Sequence, residues 1–237
     1  MRREIRLNVV GGEAIRNQAG CSGDARSTIQ PAVNSVLAEW KFIAVEDLAE
    51  AKVVFAEQGI DLPDIPGEVV WLTPQPLSED RFLTTPLSLT QLYKILETEY
   101  FPTSRRHIRV AIEVRADICL DSVWQESQLI SISDRGGRIV CQNEVQRGTM
   151  LQLETNLAGK FLQLPAEVLY CLPAGDVLRS SRPQIGVLFK PTDDRVIDML
   201  RCHIEKICVA AACAREGIPL NDPCLSWVDL VDDPWDK

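Results

Sequence analysis

The sequence predicts two domains of different class: a parallel α/β domain in front, and an antiparallel β-barrel with a C-terminal helix behind it. Three observations predict this. Over the first hundred residues, short apolar runs alternate with helical patterns. From Arg105 on, the period drops to two, and short strands follow one another with no helix between them. One long amphipathic pattern then begins near Thr192. Strands alternating with helices imply a parallel sheet covered on both faces. Consecutive short strands separated by turns imply a barrel.

In the front half, strands are expected at 5–10, 41–45, 52–56, 68–74 and 81–86. A helix is expected over 27–40, where Ala32, Val36 and Trp40 repeat every fourth residue beside Val33 and Leu37. A short helix is expected over 46–51 and a Pro/Gly-rich loop over 57–67. A further helix follows over 88–100, with Ser88 suited to the N-cap and Leu89, Leu92, Tyr93 and Leu96 as its stripe.

In the back half, Val110, Ile112, Val114, Ala116, Ile118 and Leu120 fall on one strand face, and Glu113, Arg115 and Asp117 on the other. Strands follow at 127–133, 137–141, 149–154, 160–172 and 184–189. The last helix has Thr192 as its expected N-cap, with Asp193 and Asp194 in the first turn. Its expected stripe is Val196, Leu200, Ile204, Ile207 and Ala211, and Gly217 is the expected stop. The tail is acidic, and Leu225, Trp227, Val228 and Leu230 are its docking candidates. The expected bounds are 1–102 for the first domain, 103–217 for the second and 218–237 for the tail, with the join near 101–104.

The 237 residues, 46% hydrophobic and 25% charged, suffice for packed cores. A net charge of −9 argues against non-specific binding to DNA, RNA or an anionic membrane. It leaves room for a small anion on a local basic patch. No apolar run approaches a membrane span, and the start MRREIRLNVVGG is too short in apolar residues for a signal peptide. A cytoplasmic location is expected. The eight cysteines include no Cys-x-x-Cys pair, so reduced, mostly buried thiols are expected rather than disulfides or a zinc site.

Two clusters carry the functional reading. Arg105, Arg106 and Arg109 stand in SRRHIRV, just before a strand of an otherwise acidic chain. Guanidinium forks match phosphate oxygens in pairs, and their flat faces stack on purines. Convergence on one ligand and solvation at a sheet edge are both open readings. The second cluster is SISDRGG at 131–137, in which Ser131 and Ser133 share a strand face. Gly136 and Gly137 either admit a ligand close to the backbone or serve an ordinary hairpin at positive φ.

Taken in this order and on a barrel, the two clusters resemble a PilZ domain, the bacterial receptor for cyclic di-GMP. The family signature is Arg-x-x-x-Arg before the first strand, then Asp or Asn-x-Ser-x-x-Gly on the next. The first half is intact in Arg105-Arg106-His107-Ile108-Arg109. The second reads Ser131-Ile132-Ser133-Asp134-Arg135-Gly136, with serine where the family has Asp or Asn. Gly186-Val187-Leu188-Phe189 and the helix after it resemble the family's late strand and last helix. The resemblance implies that Arg105 and Arg109 clamp the ligand and that Arg106 assists. Ser131, Ser133, Gly136 and Gly137 then line the base pocket. A serine offers one group where a carboxylate or amide offers two. Losing that contact costs about 1–3 kcal/mol, or roughly 5- to 150-fold in affinity.

The front half resembles a response-regulator receiver domain, which implies a flavodoxin-like fold. EVVWLTP ends in Thr73 like the family's fourth strand, and Thr85-Pro86 stands where the family has Lys-Pro. The phosphorylation chemistry is absent. The first strand runs into Gly11-Gly12-Glu13, the third ends Phe55-Ala56-Glu57-Gln58 without aspartate, and Thr85 replaces the lysine. No phosphorylation site and no metal are expected, and Glu13 and Glu57 read as solvated loop charges. The front half reads as a pseudo-receiver for contacts with an unidentified protein or for homodimerisation. A Rossmann reading of Gly11-Gly12 fails on spacing.

His107 and His203 are the only histidines, and no nucleophile elbow, Walker loop or His-Glu-x-x-His helix accompanies them. The chain therefore reads as a non-enzyme without a cofactor, whose ligand is cyclic di-GMP. The expected function is an effector that couples this ligand to protein contacts. The alternative is a PilZ-like interaction module that has lost its ligand.

Overall fold

The structure is a computed structural model describing residues 6–10, 36–37, 40, 42–44, 48–58, 61–78, 81–100, 107–157, 159–175, 181–191, 193–220 and 228–229. The chain divides into two compact units. One is Met1–Arg106 with Lys206–Leu230; the other is His107–Glu205 with Val231–Lys237.

In the first unit, strands β1 (Arg6–Val10), β2 (Ile43–Ala44), β3 (Val53–Glu57), β4 (Glu68–Thr73) and β5 (Phe82–Thr84) form one sheet. Their order is β2-β1-β3-β4-β5, and every neighbouring pair is parallel. This is the flavodoxin-like doubly wound order. The β-branched run at Val53 and Val54, with Phe55 and Ala56, is buried in the centre of the sheet. A single 3-10 turn at Leu48–Glu50 stands where a short α-helix over 46–51 was expected. Six residues are too few to offset the cost of helix nucleation.

Helix α1 (Leu89–Tyr100) begins as the sequence predicts: the Gln91 N–H donates to Ser88 Oγ at 3.3 Å. Its stripe of Leu89, Leu92, Tyr93 and Leu96 is buried. Trp40 meets the Tyr93 ring edge-on, with centroids 5.0 Å apart. Of the helix expected over 27–40, Val36 and Leu37 are described and helical, and both are buried. Tail residue Val228 pairs in parallel with Leu87, and the Asp229 N–H donates to the Leu87 carbonyl at 3.0 Å. Leu225, Trp227 and Leu230 lie outside the described residues, as do Gly11, Gly12 and Glu13.

The second unit is a closed barrel. Its strands are β6 (Val110–Leu120), β7 (Val123–Ser133), β8 (Gly136–Val140), β9 (Met150–Leu157), β10 (Lys160–Leu172) and β11 (Gln184–Phe189). They run around the barrel as β10-β11-β8-β7-β6-β9, with all neighbours antiparallel. Ile118, Leu129, Ile132, Ile139, Leu153, Leu164, Val168 and Ile185 fill the interior. The period-two pattern of β6 is interrupted where its register with β7 shifts between Ala111 and Val114, leaving Ile112 and Val114 half-buried. Strand β7 starts at Val123, four residues earlier than expected. The hairpin before it turns on Asp121 and Ser122, with φ of 48° and 68°. Two positive φ values are what a tight hairpin needs, but neither residue is the glycine that would announce it.

Helix α2 (Asp194–Glu216) follows β11. Asp193 caps it, its Oδ1 accepting from the Arg195 N–H at 2.9 Å, while Thr192 lies outside the described residues. Gly217 ends it at a φ of 66°. The buried face is Ile197, Leu200, Ile204 and Cys208, flanked by Cys202, Ala212 and Cys213. Val196, Ile207 and Ala211, expected on that face, are half-exposed. The cysteines pack as small apolar residues and turn the stripe toward themselves.

None of the six described cysteines is in a disulfide, and four of them are buried. Burial, with a smaller contribution from Cys171, pushes the Cys141 thiol from the usual 9.0 up to about 12. The folded state therefore holds Cys141 neutral, a contribution to stability that is lost as pH rises from 9.0 toward about 12. Cys141 is expected to resist a thiolate-selective alkylating reagent at pH 8 in the folded protein and to react once denaturant is added. Mass spectrometry of labelled peptides checks this. Equal labelling in both states contradicts it.

Candidate functional site

The site is built where the start of β6 meets the β7–β8 turn. Val110 pairs with Ile132 and Ala111 with Ser131. Arg109 therefore enters the barrel beside the end of β7, where Ser133 stands. Across the next strand pair, Ser131 faces Arg138, Ile132 faces Gly137 and Ser133 faces Gly136. The expected residues Arg109, Ser131, Ser133, Gly136 and Gly137 thus gather at one end of the barrel. Arg105 and Arg106 lie outside the described residues.

The turn itself is Asp134–Arg135. The Ser133 hydroxyl donates to the Gly136 carbonyl at 3.1 Å and accepts from the Arg135 N–H at 3.4 Å. Ser133 is buried, so its hydroxyl closes the turn. The glycines do not supply positive φ here. They admit neighbouring chain. A Cβ on Gly136 would fall on the Val187 carbonyl oxygen, and one on Gly137 would come within 2.8 Å of the Leu129 side chain and 3.0 Å of the Ser131 carbonyl. The reading of these two as hairpin glycines at positive φ is corrected accordingly: close packing between strands is what requires them.

Sequence reasoning missed Asp134. Its side chain is only 7% exposed, and its two oxygens serve two elements. Oδ1 lies 2.8 Å from His107 Nδ1. The contact is not an aligned hydrogen bond, since Oδ1 has no donor pointing at it. Oδ2 accepts from the guanidinium of Arg201 on α2 at 3.1 Å. Arg201 also donates to Asp198 at 3.2 Å. A buried carboxylate needs such partners. Nothing local in the sequence links Asp134 to a residue 67 positions away. Arg138 was missed too. It faces Ser131 on one side and Gly186 on the other, and its Nε is buried with no hydrogen-bond partner. Tyr170 pairs with Gly186, and its ring occupies the space a Cβ would take there. One strand row thus presents a hydroxyl, a guanidinium and an aromatic ring.

At the C-terminal edge of the front sheet, the Thr73 hydroxyl is buried. It lies 2.7 Å from Gln58 Oε1 and 2.8 Å from the Gln75 carbonyl. The Thr85 N–H donates to the Thr73 carbonyl at 2.8 Å. Among the described residues, these hydroxyl, amide and backbone groups bond to one another at the C-terminal ends of β4 and β5. Among the described residues, no three His, Cys, Asp or Glu side chains are placed to hold a metal ion. Among them also, no helix is long and apolar enough to cross a membrane.

A closed six-stranded barrel followed by a long helix is the frame of this site, and sequence comparison names its family. Residues 103–206 match the PilZ domain family, and this part of the chain is a PilZ domain. No curated protein matches the chain. Among solved structures, the chain is similar to the Bacillus subtilis inhibitor of motility MotI/DgrA. Identity is 14% and the TM-score 0.41, over 45% of this chain and 52% of that one. It is similar to the PilZ domain of Escherichia coli YcgR with c-di-GMP, at 16% identity and a TM-score of 0.39, over 48% and 97% of the two chains. It is also similar to the K. pneumonia MrkH–c-di-GMP complex, at 17% identity and a TM-score of 0.38, over 48% and 54%. The chain spans about half the length of the motility inhibitor.

The packing of Gly136 yields a test. Gly136→Ala must push a methyl group into backbone rather than into a movable side chain. It is expected to destabilise the barrel by about 1–3 kcal/mol, read from denaturant melts. An unchanged midpoint contradicts the packing role.

Proposed function

We propose that this protein is a receptor for cyclic di-GMP that transmits binding to a protein partner and has no catalytic role. The observation that carries the proposal is the PilZ domain at 103–206 with its arginine leader intact in sequence at Arg105 and Arg109. Cyclic di-GMP presents two phosphates and two guanines. Arginine forks pair with phosphate oxygens, and they also meet the O6 and N7 atoms of guanine in pairs. Arg105 and Arg109 are the clamp in this reading, Arg106 assists, and Ser131, Ser133, Gly136 and Gly137 form the floor. Arg138 supports it, because its buried Nε–H stands beside Ser131, where the family carries Asp or Asn. As a donor fork it suits the O6 and N7 edge of guanine rather than the N–H edge a carboxylate accepts from.

The front domain, read over 1–102, acts in this proposal as a pseudo-receiver for protein contact or homodimerisation. The PilZ domain, read over 103–217, senses the messenger in the cytoplasm. A second reading is favoured by one observation: Ser133, Gly136 and Gly137 are all buried and serve the turn and the strand packing. In that reading the barrel is a ligand-free interaction module.

Calorimetric titration separates the two. Cyclic di-GMP is expected to bind the full chain at low micromolar concentration or tighter. Arg105→Ala with Arg109→Ala is expected to weaken binding at least about 100-fold. Arg138→Met is expected to weaken it about 10-fold. No heat with up to about 100 µM cyclic di-GMP overturns the receptor reading and leaves the interaction module.

A further inference from the structure

We infer that the outer wall formed by β7, β6, β9 and β10 is a docking surface for a basic protein segment that also carries apolar side chains. The inference goes beyond the receptor reading and does not depend on it, since it uses none of the residues of the proposed ligand floor.

Three large apolar side chains stand in solvent on this wall. Trp124 is 48% exposed, Met150 55% and Phe161 60%. Strand register puts all three on the outside. Trp124 faces Cys119, Cys119 faces Gln152, and Met150 stands two residues before Gln152. Phe161 faces Asn156, four residues after Gln152. Even spacing along a strand keeps side chains on one face. A single exposed apolar residue is ordinary, whereas several on one wall mark a contact surface.

A row of carboxylates runs between them. Glu126 faces Asp117, and Asp117 faces Glu154. Side chains so placed have Cβ atoms about 4.5–5.5 Å apart, and like charges directly opposite destabilise a sheet. The neighbours relieve little of this. Arg115 Nε lies 3.6 Å from Glu126 Oε1, but both side chains are mostly exposed, so the pair is weak. Gln163 donates to Glu154 Oε1 at 2.6 Å and brings no charge. The acidic row lies two residues along the strands, about 7 Å, from the row of Trp124 on one side and from that of Phe161 on the other.

The charge selects the occupant. Nucleic-acid phosphates and anionic lipid headgroups are repelled by such a row. A second copy of this chain in a symmetric pair sets carboxylates against carboxylates. The row spreads over three strands, and among the described residues no three His, Cys, Asp or Glu side chains are placed to hold a metal ion. Lys and Arg side chains of a partner segment fit. Their cationic heads pair with the carboxylates, and a guanidinium face stacks on the Trp124 indole. Apolar groups one or two residues from those cations then cover Trp124, Met150 and Phe161, with the tryptophan as anchor.

The test uses the full chain without cyclic di-GMP. A phage-displayed library of random dodecapeptides is selected on it, and an enriched peptide is titrated by fluorescence anisotropy. Enriched peptides are expected to combine net positive charge with aromatic or large aliphatic residues. Trp124→Ala, and separately Asp117→Asn with Glu154→Gln, are each expected to weaken binding at least about 10-fold. Asp61→Asn, on an exposed loop of the front unit, is expected to leave it unchanged. Raising salt from about 50 to about 300 mM is expected to weaken binding at least about 3-fold. Asp117→Asn is expected to hold or raise the denaturant midpoint, because it removes two like-charge pairs. The inference is overturned by an absence of enrichment, by neutral or acidic winners, by affinity that the wall variants leave intact, or by a fall in that midpoint. Self-association in sedimentation that Trp124→Ala abolishes makes the occupant a second copy and overturns it too. If Trp124→Ala fails to fold, the carboxylate variant decides.

Discussion

The barrel depends on the close approach of β11 to the β7–β8 turn. Gly136 lies so near the Val187 carbonyl that no side chain fits between them. The Phe189 N–H donates to the Arg135 carbonyl at 2.9 Å and fastens the turn to the same strand. Tight approach buries whatever the turn carries, which here is a hydroxyl and a carboxylate. Ser133 finds partners within the turn. Asp134 does not, and it reaches His107 and α2 instead. One backbone contact thus brings the start, the middle and the last helix of this unit to a single point.

The front sheet follows a different logic. Its strands are held by a parallel ladder, and its centre is a nearly continuous β-branched and aromatic run. Its edge at Thr73 is closed by amide and hydroxyl groups that bond to one another. The barrel retains guanidinium groups with unused hydrogen-bonding capacity, at Arg138 and at Arg201 Nε.

Local signals made most elements legible. Period-two alternation located the barrel strands, and β10 and β11 fall on the residues the pattern marks, because β-branched runs there are bounded by turn residues. Ser88 and Gly217 marked helix ends because capping is chemistry of one or two residues. The Asp121–Ser122 hairpin was illegible because aspartate and serine take positive φ without announcing it. The face of α2 was misjudged because cysteine was not counted as apolar. The cluster from Ser131 to Gly137 stood out through its family resemblance, and the structure gathers its strand and turn residues at one end of the barrel. The bond from Asp134 to Arg201 did not stand out, since it exists only once the barrel closes. For Gly136 and Gly137 a sequence reports only that Cβ is absent, and packing reports what lies in its place.

The central claim is that the leader, the β7–β8 turn and Arg138 form one ligand-binding surface. Its most direct test is a two-dimensional amide NMR spectrum of the full chain titrated with cyclic di-GMP. The account predicts saturable shifts concentrated at Arg109, Ser131–Arg138 and the leader, with smaller ones around Arg201. Shifts confined to the front sheet, or a spectrum that does not change, would contradict it.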